Sequence, residues 1–388
     1  MTADLTLSNP TQLRLEFSAA DREQAWQQSQ SFARAGDRWD AYLNRLCLNT
    51  VLPWLREDRQ LQATVWTNTN ALPGFWGLVN GTALTLNTTE RLVLLPTETI
   101  DRDEWRIPQE WVDIPPWSAD YYLAIQVEPE DGWLQMWGYT THRKLKAQGH
   151  YDAGDRTYCL TEPAIMPDLS VLWVARQLGA EPTRAAILPL PAINLAQAEN
   201  LLTRLGNPSV ITPRLEVPFP LWGALVAHDG WRQRLYERRQ GLPESRSVRQ
   251  WLGSSLSTLA QQVGWERLEQ QPDLVGARGG ENTTSTVLLS RTLVIAGQTY
   301  ELQISSQGTP DECTWRFTLR NTAPGGVIPS GFKLRLSTED LQPFEQNEDT
   351  ATTAIEQLFV EVALAPGEGI VWEVEPIPEG YDREILRF

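Results

Sequence analysis

TVLLSRTLVIAGQTYELQISS, residues 286–306, alternates apolar and polar side chains in two runs and turns at Gly297-Gln298. Alternation of period two puts one face of each run in a core and the other in solvent, which is the pattern of a strand. The pattern recurs in TWRFTLR (314–320), FKLRLST (332–338), QLFVEVAL (357–364), GIVWEVEP (369–376) and REILRF (383–388), with a second tight turn at Pro366-Gly367-Glu368-Gly369. Seven short strands at this spacing predict a C-terminal immunoglobulin-like β-sandwich over 286–388. It lacks the paired cysteines of an antibody domain, so only the architecture transfers. Residues 281–388 hold 17 Asp and Glu against 7 Lys and Arg, −10 of the chain's net −16. With no nucleophile, metal cluster or phosphate loop among its strands, the segment reads as a part that binds or braces.

Working outward, QPDLVGARGGENTTST (271–286) is rich in Gly and Thr and aperiodic, and is expected to be a linker. Residues 163–275 form a Pro-punctuated helical middle: DLSVLWVARQLG (168–179), NLAQAENLLTRLG (194–206), one helix from about Leu221 to Gln240, and a last helix over 247–268. Residues 1–162 are expected to hold a helical start and a Trp-rich bent β region. Ser18 is placed to cap a helix ending near Gly36, and a second helix after Asp37 is expected to end or kink at Pro53. The strands LQATVWT, GTALTLN and RLVLLPTE follow. YYLAIQVEP and WLQMWGYT form a hairpin about Glu130-Asp131-Gly132. Next comes a short basic helix, THRKLKAQG, and a return strand, RTYCL. The expected class is therefore α+β, in three parts.

The composition is that of a folded globular chain of 388 residues, 41% hydrophobic and 21% charged. A net charge of −16 argues against nucleic acid or an anionic membrane as the partner of the whole surface. Cys47, Cys159 and Cys313 are scattered and odd in number, which fits a reducing, cytoplasmic setting rather than a disulfide framework. The opening MTADLTLSNP has no leader pattern, and no apolar run approaches the length of a membrane span.

Three stretches are candidate sites. In 137–160, a metal reading of His142, His150 and Cys159 matches no ligand spacing, so no metal is expected. Cys159 sits mid-strand, where a buried inert thiol is the ordinary outcome. Arg143, Lys144 and Lys146 either present positive charge to an acidic partner or phosphate, or form a solvated face. In the Arg-rich stretch 231–249, Arg232, Arg234, Arg238 and Arg239 either dock on the acidic β domain of the same chain, meet an external acidic partner, or are merely solvated. In 336–357, Phe344, Glu345, Glu348 and Asp349 form either an exposed acidic loop or an adhesive segment for a basic partner. The loop lacks the central Gly of a calcium site. Phosphate-loop, dinucleotide, serine-hydrolase and zinc-protease motifs are missing, and neither a catalytic residue nor a cofactor is expected. Two further readings stay open: a hydrolase near His142, His150 and Asp155, and sugar stacking by Trp105, Trp111, Trp117 and Trp133.

The run W-G-Y-x-T-H-x-x-L-K-x-x-G-x-Y-D-x-x-D-R-T-Y, here Trp137 to Tyr158, and the order of parts around it resemble a cyanobacterial family of unknown function. Its members are often encoded beside an alternative sigma factor and a caspase-like CHAT protease. The resemblance brings no catalytic residues. It implies a regulatory adaptor that holds a protein partner, such as a sigma factor, or that serves as substrate of such a protease.

Overall fold

A computed structural model describes residues 13–87, 89–179, 182–242, 247–253, 264–270, 286–307 and 314–388. The fold mixes helices and sheets, as an α+β reading requires. It divides into two compact units, residues 1–193 with 197–241, and 194–196 with 242–388. The helical middle expected over 163–275 is shared between these units. The expected linker, but for Thr286, and Cys313 lie outside the described residues.

The first unit opens with β1 (Leu13–Glu16) and α1 (Ala19–Ser29). Ser18 caps α1 reciprocally with Asp21, satisfying two end donors. Helix α2 (Ala35–Glu57) runs through Pro53 instead of stopping there. Proline removes one donor, but Val51, Trp54 and Leu55 are buried around it, and that packing holds the last turn. After β2 (Ala63–Val65) and α3 (Leu72–Trp76) come β3 (Thr82–Leu86) and β4 (Glu90–Thr97). The stretch 101–118, expected as a loop with extended pieces, forms β5 (Glu104–Pro108) and α4 (Gln109–Asp113). The expected hairpin is β6 (Tyr121–Glu128) and β7 (Trp133–Thr141), with Gly132 at φ +75° in its turn. Then follow α5 (His142–Gln148), β8 (His150–Asp152) and β9 (Thr157–Thr161).

The main sheet has the order β1-β7-β6-β4-β3-β2, antiparallel except for the parallel β4–β6 pair. That pair is buried on both faces, and its residues read as near-continuous apolar runs for that reason. A smaller sheet has the order β5-β9-β8. Helices α6 (Leu169–Leu178), α7 (Leu195–Leu205, from residue 197 on), α8 (Phe219–Ala227) and α9 (Asp229–Arg239) complete the unit. One helix was expected over 221–240. The break comes at His228, whose backbone is extended and whose Nδ1 accepts the Trp231 N–H at 3.3 Å as a side-chain cap.

The second unit begins with α10 (Val248–Gly253) and β10 (Trp265–Gln270). Trp265 was expected in a helix running to 268. It is instead a strand residue with no exposed surface, its Nε1 donating to Glu384 at 3.0 Å. The seven expected strands are β11 (Thr286–Ile295), β12 (Gln298–Gln307), β13 (Thr314–Asn321), β14 (Lys333–Thr338), β16 (Gln357–Ala363), β17 (Gly369–Glu375) and β18 (Ile385–Arg387). A short β15 (Glu348–Thr350) adds to them. The first hairpin turns one residue earlier than read. Ile295 pairs with Gln298, and Ala296 and Gly297 both have positive φ, the geometry of a primed two-residue turn. Two antiparallel sheets, β10-β11-β12-β13-β16 and β15-β14-β17-β18, close on one core that includes Trp265, Phe317 and Trp372.

Candidate functional site

The site begins where β7 becomes α5. Thr141 ends the strand and caps the helix, its hydroxyl accepting the Lys144 N–H at 3.1 Å. The next residue, His142, has no exposed surface. Its Nδ1 accepts the Ala185 N–H at 3.0 Å, which puts the ring proton on Nε2, and Nε2 donates to the Val112 carbonyl at 2.9 Å. Burial pushes the imidazole below its ordinary value, against the pull of the Val112 carbonyl, so the ring is a neutral clasp.

The clasp holds a strap, residues 182–190, across the start of α5. The Arg143 N–H donates to the Thr183 carbonyl at 2.8 Å. Asp120 anchors the strap from the sheet, accepting from the Thr183 hydroxyl at 2.6 Å and from Arg184 through both oxygens. Beside it, Tyr139 and Met166 exchange two backbone hydrogen bonds of 2.9 Å. Gly138 permits that approach, since a Cβ there would lie 2.4 Å from Ile165 Cγ2.

A groove of about 520 Å³ opens between α5 and α6. Its floor includes Tyr121, Tyr139 and Met166. One wall is the α5 face bearing Arg143, Lys144 and Ala147; the other is the α6 face bearing Val171, Ala175 and Leu178. Helix α6 is apolar on two sides. Leu169 and Leu172 are buried, whereas Val171, Val174 and Leu178 are 41%, 54% and 70% exposed. Positions 171, 174, 175 and 178 follow the i, i+3, i+4, i+7 spacing of a packed helix face, yet this face is open to solvent. Arg143 and Lys144 make no ion pair among the described residues. Burial lowers the Lys144 ammonium below its ordinary value, so an incoming carboxylate would gain by pairing with it.

Lys146, the third cation of α5, faces elsewhere, into a cavity of about 440 Å³ that also meets Asp113, Tyr158 and Phe219. Its ammonium donates to Asp113 Oδ1 at 2.8 Å and to the Tyr158 hydroxyl at 2.6 Å, and Tyr158 donates to Asp113 Oδ2 at 2.8 Å. Burial pulls Lys146 down, but those two bonds and the Asp113 charge outweigh it and leave it above its ordinary value. Burial raises Tyr158 to about 12. Both groups therefore keep their protons at neutral pH and saturate one another.

The other expected site residues fall apart into structural roles. Arg232 is 2% exposed, pairs with Asp229 at 2.8 Å and lies 3.9 Å over the Phe75 ring. Arg239, also 2% exposed, donates to the Leu205 and Val210 carbonyls. Arg234 and Arg238 share Glu199, at 2.6 and 3.5 Å. Reading these four as a surface for an acidic partner is corrected for Arg232, Arg234 and Arg239, all buried, because a buried guanidinium cannot meet a partner without unfolding its surroundings. In the acidic stretch Glu345 and Glu356 stand exposed with no ion pair among the described residues. Phe344 packs on the core, Glu348 pairs with Arg335 at 2.8 Å, and Asp349 accepts the Phe359 N–H at 3.0 Å, which covers the edge of β16.

His150 is exposed on β8 opposite the buried Cys159, whose thiol burial pushes up, away from a nucleophile. Asp155 pairs with Arg106 at 2.7 Å. Trp105, Trp111 and Trp117 are buried and offer no ring to a sugar, and Trp133 is half-buried with Arg14 over its ring at 4.3 Å. Among the described residues, no three His, Cys, Asp or Glu could hold a metal ion, and no helix is long and apolar enough to cross a membrane. The row on α6 was missed in the sequence. Its signal was there: LSVLWVARQL is apolar on more sides than one packed face uses.

A family model described as a protein of unknown function (DUF1822) matches residues 15–387. No curated protein and no solved structure matches the chain.

Proposed function

The chain belongs to the DUF1822 family of proteins of unknown function, and from that premise we propose that it is a non-enzymatic adaptor that holds another protein in the groove between α5 and α6. The observation that carries this reading is the pairing of an exposed apolar helix row with Arg143 and Lys144, two cations without an ion pair among the described residues. Apolar surface beside unpaired charge is costly to leave uncovered and specific when covered. A sigma factor, or a caspase-like CHAT protease for which the chain is substrate, is the kind of partner implied by the family resemblance. A cytoplasmic setting fits the buried free thiols of Cys47 and Cys159. The two antiparallel sheets on one core support the immunoglobulin-like reading of the acidic end.

The test is affinity capture with the tagged chain and, side by side, its Arg143→Glu/Lys144→Glu variant, read by mass spectrometry at about 50 mM salt and again at higher salt, where exposed charge pairs are screened. A protein retained by the wild type, lost from the variant and released by salt is expected. The same proteins on both chains would overturn the proposal.

A further inference from the structure

We infer that the occupant of the groove is an amphipathic helix of a protein partner, with an apolar row against α6 and carboxylates toward Arg143 and Lys144. This rests on the adaptor reading and adds the form of the bound segment. Three observations carry it. First, both walls are helix faces: Val171, Val174, Ala175 and Leu178 run about 10 Å along α6 at 1.5 Å per residue. Rows spaced in this way present ridges and grooves that accept another helix. Second, the floor offers nothing to an extended strand. Tyr121 lies on β6 between β4 and β7, and the outer backbone groups of Tyr139 on β7 are already taken by Met166, so neither floor tyrosine offers backbone groups for strand addition. Third, Arg143 and Lys144 stand together on one side of the apolar row, which favours Asp or Glu along one flank of the incoming helix. A lone acyl chain would suit a closed pocket, but the row continues to Val174, outside the groove itself, as a longer ligand requires.

The experiment is selection from a display library of random peptides of roughly 16 residues, long enough to form a bound helix, on the immobilised full chain. The affinities of enriched peptides are then measured by fluorescence anisotropy against the wild type, Arg143→Glu/Lys144→Glu and Val174→Asp, each checked for folding by circular dichroism. The expected peptides share apolar residues at i, i+3 or i+4, and i+7 with Asp or Glu on one flank. Their binding weakens at least about tenfold against both variants, a shift of 1.4 kcal/mol. Enriched peptides without that spacing, or with affinity unchanged in both variants, overturn the inference. So does a concentration-dependent dimer that either variant abolishes, since a second copy would then be the occupant. The two proposals fail separately. A partner captured in a groove-dependent way, together with peptides that lack helical spacing, removes the helix and leaves the adaptor. Identical capture by wild type and variant removes the adaptor itself.

Discussion

The Nδ1 of His142 accepts the backbone N–H of Ala185 at 3.0 Å, across 43 residues of sequence. One neutral ring thereby joins α5 to the strap and, through Nε2, to the end of α4 at Val112. The lowered affinity of the buried ring for a proton has a sign. Unfolded chains take up the proton near the ordinary value of 6.5, whereas the folded ring resists. His142 therefore costs no stability above that value and progressively destabilises the fold as pH falls below it. His142→Asn retains an acceptor near Nδ1, loses the bond to Val112 and is expected to cost about 1–3 kcal/mol at pH 7.5. Urea unfolding from pH 7.5 to 5 should show the gap to wild type narrowing; parallel curves would contradict the neutral clasp.

Glu110 has no exposed surface and accepts from Arg214 at 2.9 and 2.6 Å and from Trp222 Nε1 at 2.8 Å. Removing the carboxylate leaves a guanidinium and an indole N–H without their acceptor. Glu110→Ala is expected to destabilise the first unit by roughly 3–5 kcal/mol, while Glu110→Leu/Arg214→Met recovers part of that loss, the Trp222 N–H still lacking its acceptor. Thermal unfolding of both variants checks the order, and a double variant no better than the single one would mean that the pair is not the source of the cost.

At Gly138 there is no room for a methyl group, since its Cβ would press on Ile165 and sit 3.4 Å from the Met166 carbonyl. Gly138→Ala is expected to cost about 1–3 kcal/mol by overpacking. Gly36→Ala is the control. Nothing lies within 4 Å of its added Cβ, and it sits in α2, where alanine is the better helix former. Denaturant midpoints should move in opposite directions or differ clearly in size.

Arg143→Glu/Lys144→Glu should unfold within about 0.5 kcal/mol of wild type, because neither side chain has an ion pair to lose among the described residues. A large loss of stability would show that these cations support the fold, and the groove would lose its claim to be a docking surface.

Most strands were legible in the sequence because their signals are local. Residues 286–306 alternate and turn within a few positions, and they form β11 and β12. The basic helix expected at THRKLKAQG likewise forms α5, capped by Thr141 and ended at Gly149. The errors lie where a distant partner overrides the local pattern. Trp265 falls in a stretch expected to be helical but lies in a strand, where Glu384, 119 residues away, accepts its indole N–H in the core. His228 lies within one apolar helical pattern but caps a second helix.

The sequence by itself therefore determined the α+β class, the β11–β12 and β6–β7 hairpins and the basic helix at 142–148, since each follows from spacing and turn chemistry over a few residues. Only the tertiary structure decided which side chains those elements leave open. It buried Arg232 and Arg239, used Asp349 to cover a strand edge, closed Lys146 into its own cluster and left Arg143, Lys144 and the α6 row open. A side chain's exposure depends on what the rest of the chain lays over it. Those covering segments lie tens of residues away, where no local pattern reaches.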